Sequence, residues 1–413
     1  MRILREVIGI YLTLPCEVGP KAPHLLFAEN QKLFRFSRPR PLRCQTPQRS
    51  RSRQHPMTDI HTLHGAPSTS AIRVRRPLLR PVQPVPGSPL PGVPEFVPAR
   101  GLGSANLQTV CASFFPGNTQ IEGTLQRHLR LDDGDLLVLH DDTPRGWERG
   151  DHVVLLLHGL GGSHRSGYMV RIARKLSQLG IRTFRLDHRG CGAGASLARR
   201  PYHAGRIDDI AAAVSMLERL CPGSPISIAG FSISGNMLLR YLGEYSESLP
   251  FSLFRAVAVC PPVDLHHCAS RLAQSISGQR YDWYFTRKLI SQIASSPQWD
   301  DSLPIAHTRR APGRLYDFDE LYTAPASGFV SADDYYAAAS AAPVASRIRV
   351  HTTILASQDD PVVCSEPLTQ LSLPANVRLC LTRHGGHLGF ISRPGIDPDR
   401  RWMDWRVIEW LLE

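Results

Sequence analysis

The chain contains no Cys-x-x-Cys pair, although nine cysteines are scattered through its 413 residues. An odd count at irregular spacing argues against a disulfide framework or a zinc site of paired cysteines, and it suits a reducing, cytoplasmic setting. No run of 18 apolar residues occurs, so no integral membrane segment is expected; membrane contact would be peripheral, through a lipid substrate. Acidic residues are scarce at the start, where residues 1–100 hold 16 Lys and Arg against 5 Asp and Glu. That segment carries +11 of the formal +12, which leaves about +1 for residues 101–413. Nucleic-acid binding needs basic residues gathered on a folded face, and the later residues do not supply them. No nucleic-acid partner is expected.

What fills the first hundred residues is arginine and proline. Sixteen of the 34 prolines lie there, in segments such as PLLRPVQPVPGSPLPGVP that cannot bury enough apolar surface to offset ordering entropy. Residues 1–90 are therefore expected to be a disordered extension. The opening MRILREVIGIYLTLPC has the outline of a signal peptide, but Glu6 interrupts its charged region and Pro15 sits where a small residue belongs. Met57 follows the arginine-rich run and is an alternative start. Residues 31–56, with seven Arg and no acid, equally fit a transit peptide.

Residues 91–413 read as an α/β domain with a mostly parallel central sheet, helices on both faces and a helical cap insertion over about 264–345. Apolar runs alternate with amphipathic stretches: strands at 152–159, 181–187, 225–231, 254–260, 350–356 and 376–382, and helices at 166–179, 206–220, 236–245 and 401–412. Two strands around an acidic turn precede them, from residue 124 to 140. The insertion carries the rings of Trp283, Tyr284, Phe285, Tyr316, Phe318, Tyr322, Phe329, Tyr335 and Tyr336; most are expected to pack helices over the sheet, and three or four to form an apolar pocket over the strand ends.

Gly230-Phe231-Ser232-Ile233-Ser234-Gly235 follows a strand and opens a helix, where a nucleophile elbow belongs. The sharp turn lifts the Ser232 hydroxyl above the sheet and leaves little room two residues to either side. Gly230 meets that need; Ser234 stands where glycine is usual and is expected to crowd the turn. Acyl transfer passes through an oxyanion that needs two fixed N–H donors. Ile233, after the nucleophile, and Leu160, in the His158-Gly159-Leu160-Gly161-Gly162 run after an earlier strand, are the candidates. The same run fails as a dinucleotide motif because His164 takes the third glycine position, so no nicotinamide cofactor is expected.

The chain order Ser, acid, His for this fold directs attention to the C-terminal third. His384-Gly385-Gly386-His387 follows the last strand, and His387 is preferred as general base because the glycines before it make a flexible loop. A metal role for the two histidines lacks further ligands nearby, and His384 is left a surface or packing role. Asp360 is the first choice for the acid that orients the imidazole, Asp359 the second and Asp264 a distant third. No metal or other cofactor is required.

With these residues in view, the sequence resembles the YheT-like bacterial hydrolases and the related eukaryotic α/β-hydrolase-domain esterases. The resemblance runs from about Glu95 to the C-terminus. It rests on NLQT (106–109), HGLGGS (158–163), DHRGCG (187–192), GFSISGNMLLRYLGE (230–244), YDFDELYTAPASGF (316–329), DDYYAAAS (333–340), the DDP at 359–361 and HGGHLGF (384–390). It implies the α/β-hydrolase fold, a triad of Ser232, Asp360 and His387, and hydrolysis of short- to medium-chain acyl esters or acylglycerols. Ser234 departs from that pattern. An acyltransferase is the first alternative, since the same acyl-enzyme can be intercepted by something other than water; His203/Asp208 and His128/Asp133 fit an H-x₄-D spacing, which 17 histidines supply by chance. A non-catalytic binding protein on the same fold is the second.

Overall fold

In the computed structural model, which describes residues 92–117, 121–294, 302–308 and 310–413, the elements follow the periodicity of the sequence. The strands are β1 (Leu125–Arg130), β2 (Leu136–Asp142), β3 (Val153–Leu157), β4 (Arg182–Asp187), β5 (Ile226–Phe231), β6 (Leu253–Val259), β7 (His351–Ser357) and β8 (Val377–Thr382). The longer helices are α1 (Ala105–Phe114), α2 (Gly167–Gln178), α3 (Ile207–Leu220), α4 (Ile233–Glu244), α5 (Leu265–Gln274), α6 (Ile276–Ala294), α7 (Ala332–Ala339) and α8 (Trp402–Leu412). The expected extension, residues 1–90, lies outside the described residues.

The strands form one sheet in the order β1-β2-β4-β3-β5-β6-β7-β8. From β4 to β8 every pairing is parallel; β2 runs antiparallel to both β1 and β4. β3 is apolar without interruption because both faces of the sheet are covered. Val153, Leu155 and Leu157 pack with residues of α3 and α4, whereas Val154 and Leu156 pack with α2 and α8. All five are wholly buried, each contributing about 1.5–3 kcal/mol relative to exposure. In the centre of the sheet Leu157 stands opposite Gly230 on one side and Leu186 on the other, which sets the ends of β3, β4 and β5 side by side.

Two features lie outside what periodicity suggested. α1 covers NLQT, a stretch whose short, mixed composition carries no clear amphipathic signal. Before it, Phe96 joins the core beside Phe390 and Trp402, with Ala99 N–H bonded to Ile391 O and Arg393 N–H to Val97 O. Between β6 and β7 the chain leaves the sheet for α5, α6, α7 and a run of short turns. Asp319–Thr323 within it is a π-helix, a form that often marks a functional site.

Candidate active site

Ser232 sits at the junction of β5 and α4 with φ 54° and ψ −121°, a strained conformation for a residue with a Cβ. Its N–H bonds Val259 O at 2.7 Å, tying the turn to the neighbouring strand. A Cβ at Gly230 would lie 2.3 Å from Ser234 O, so only glycine fits two residues before the serine. Two residues after it, Ser234 is wholly buried. Its hydroxyl donates to His158 O and accepts from His188 Nε2 at 2.7 Å, linking the ends of β3, β4 and β5. Burial pushes the His158 and His188 imidazoles below their usual range, which keeps both neutral near pH 7.

His387 reaches Ser232 from the loop after β8, with Nε2 3.0 Å from Oγ. Its Nδ1 lies 2.8 Å from Asp360 Oδ2, and Asp360 Oδ1 accepts the Val362 and Val363 N–H groups at 2.8 and 2.9 Å. In the tautomer this geometry supports, Nδ1–H donates to Asp360 and Nε2 accepts from the serine hydroxyl. The other candidates lie elsewhere. Asp359 holds the loop, accepting from Gly386 N–H at 3.0 Å and pairing at 3.3 Å with the half-exposed His384. Asp264 caps α5 by accepting the His267 N–H. His203 accepts from Gly205 N–H while Asp208 accepts from the Tyr245 hydroxyl, so that pair does not act as a unit. Asp133 of the other H-x₄-D match is paired with Arg189.

The glycines of the histidine loop meet specific packing and backbone needs. Gly386, Leu388 and Phe390 all have positive φ, and a Cβ on Gly386 would come within 2.4 Å of Ala105 O. The glycines let the loop pack against α1. There Thr109 Oγ1 accepts the His387 N–H at 2.9 Å, and the Gln108 amide bonds both Ile391 N–H and Ile391 O, at 2.7 and 3.1 Å. These two residues were missed as site residues, although the NLQT segment was the available signal.

Leu160 and Ile233 both border the cavity that opens at Ser232. The peptide N–H groups on either side of Leu160 are taken, Gly159 by the Tyr168 hydroxyl and Gly161 by the Tyr202 hydroxyl, each at 2.8 Å. Among the described residues neither Leu160 N–H nor Ile233 N–H has a protein acceptor, so both are available to a ligand oxygen. The cavity measures about 310 Å³ and is walled largely by the insertion, through Leu265, Leu289 and the rings of Phe285, Phe318, Tyr322 and Tyr336. Trp283, Tyr284 and Tyr316 are exposed instead.

DHRGCG, left without a role by the sequence, forms a second cluster. The Asp187 carboxylate accepts from His164 N–H (2.6 Å), His164 Nδ1 (2.7 Å), His140 Nε2 (3.0 Å) and Ala193 N–H (2.9 Å). Burial acts against its charge, and these donors outweigh it, holding the group well below the usual carboxylate range.

The family model Hydrolase_4, described as "Serine aminopeptidase, S33", matches residues 148–387. "Putative esterase YheT" of Escherichia coli (strain K12) is 32% identical over 77% of this chain and 93% of its own. The chain belongs to the YheT-like α/β-hydrolase family. As a member it is a serine hydrolase of esterase and lipase type. It is also similar to "Phospholipase ABHD3" of Homo sapiens, at 27% identity over 58% of each chain. "Medium-chain fatty acid ethyl ester synthase/esterase 2" of Saccharomyces cerevisiae (strain ATCC 204508 / S288c) is 29% identical, again over 58% of each. No described helix is long and apolar enough to cross a membrane.

Proposed function

We propose that the protein hydrolyses short- to medium-chain acyl esters, including acylglycerols, with Ser232 as nucleophile, His387 as general base and acid, and Asp360 as the group that orients the imidazole. The observation that carries this reading is the unbroken hydrogen-bond chain from Asp360 through His387 to Ser232, which ends at the mouth of an apolar cavity. His387 takes the Ser232 proton as Oγ attacks the ester carbonyl, and the Leu160 and Ile233 N–H groups hold the developing oxyanion. The proton returns to the departing alcohol, leaving an acyl-enzyme. Water then repeats the sequence and releases the acid. A volume of about 310 Å³ is at the small end for ligand pockets, which favours shorter acyl chains.

The synthase in the name of the yeast relative favours one second reading, in which an alcohol intercepts the same acyl-enzyme and a new ester forms. Product analysis with a competing alcohol separates the two. The main test is Ser232→Ala with p-nitrophenyl esters of increasing length and a fluorophosphonate probe. Turnover and labelling should both vanish, the loss in kcat being of order 10⁶; undiminished labelling would reject Ser232 as nucleophile.

A further inference from the structure

Three groups of side chains among the described residues have the composition and spacing of metal ligands. In His140, His164 and Asp187 both imidazoles already bond the carboxylate, and the rings are stacked with centroids 3.4 Å apart. In Cys260, Asp360 and His387 the imidazole is engaged at both nitrogens. The third group, His267, Cys364 and Glu366, is different: His267 Nε2 is buried and makes no hydrogen bond, its one ion-pair contact being Glu366 within the group, although the ring is partly exposed.

We propose that His267, Cys364 and Glu366 bind a zinc ion that joins α5 to the loop carrying Asp360. Their three donor atoms lie within 4.8 Å of one another, and His267 Nε2 is 3.4 Å from Glu366 Oε2. A tetrahedral zinc with nitrogen and oxygen ligands at roughly 2.0–2.2 Å sets such atoms about 3.3–3.6 Å apart, so the His267–Glu366 pair already stands at ligand spacing. The local chain fixes the donors. Asp264 caps α5 by accepting the His267 N–H at 2.9 Å, and Glu366 opens the short helix Glu366–Thr369 just after Cys364.

The donor set selects the ion. A thiolate and an imidazole favour zinc over magnesium or calcium, and the exposed Glu366 leaves an entry path and a fourth position for water. Binding converts the Cys364 thiol to a thiolate and releases its proton to solvent, with no change of oxidation state. Cys364 is four residues beyond Asp360, and the intervening Val362 and Val363 N–H groups hold the Asp360 carboxylate. A filled site therefore braces the acid loop against a helix whose Leu265 and Leu272 wall the cavity.

The test uses the full chain, reduced and titrated with zinc chloride against a chromophoric chelator. The expected result is one zinc per chain. His267→Gln and Cys364→Ser should each weaken it about tenfold or more, and Glu366→Gln by a smaller factor. Cobalt(II) bound to the parent should give a thiolate charge-transfer band that Cys364→Ser abolishes, and the parent spectrum needs no variant to fold. His387→Ala should bind zinc as the parent does. Failure of the parent to bind zinc at micromolar concentration, a cobalt spectrum without the thiolate band, or binding lost in His387→Ala but kept in Cys364→Ser would overturn the assignment.

Discussion

Asp187 ends β4 and Asp360 follows β7, so two histidine–aspartate clusters stand at the same edge of one sheet. They use the same side chains to different ends. Around Asp187 every hydrogen bond closes within the protein: two imidazoles and two backbone N–H groups converge on the carboxylate, and nothing in that chain reaches the cavity. Around Asp360 the chain stays open, since His387 passes from the carboxylate to a serine hydroxyl beside an empty volume. A saturated cluster can hold elements together. An open one can also move a proton.

That contrast can be broken by the matching substitution at each carboxylate. Asp360→Asn should lower kcat by about 10³–10⁴, because the amide no longer fixes the imidazole tautomer, while the thermal midpoint changes little. Asp187→Asn should do the reverse, costing about 3–5 kcal/mol of stability as amide hydrogens face donors in a buried site, while kcat per folded molecule stays within tenfold. Denaturant titration and steady-state kinetics on both variants check this. A stable Asp187→Asn protein without activity would erase the distinction.

Thr109→Val sharpens the comparison at the loop. It removes the acceptor for the His387 N–H without touching the reacting atoms, and kcat should fall about tenfold to a hundredfold through misplacement of the imidazole. Thr109→Ser should restore most of it, a rescue that loss of packing alone would not give. The smallest effect is expected within the cap. Burial pushes Asp282 up to about 6, against the pull of the Leu315 N–H at 2.6 Å. With the folded value above the unfolded one, the native state binds the extra proton, so this group's contribution to stability falls as pH rises from about 4 to about 6. Asp282→Asn should flatten the urea midpoint across that window; an unchanged slope would show that other groups set it.

Much of this molecule is legible along the chain. The strands and helices of the sheet appear within a few residues of their positions because each is a local pattern of apolar spacing, and the elbow appears because a glycine, a serine and a helix start fall together. The Ser234 bond to His158 and His188, the grip of Gln108 on Ile391, 283 residues away, and the ring of donors around Asp187 do not appear. Each depends on partners whose separation in sequence has no regular period.

Residue order by itself determined where the sheet runs, which serine is strained at its edge and which segments carry the candidate base and acid, since those follow from local sterics and hydrophobic period. Only the tertiary structure decided what Thr109 and Gln108 hold, why the loop glycines are there and which histidines are locked. Those outcomes are set by hydrogen-bond distances between segments that folding alone brings together.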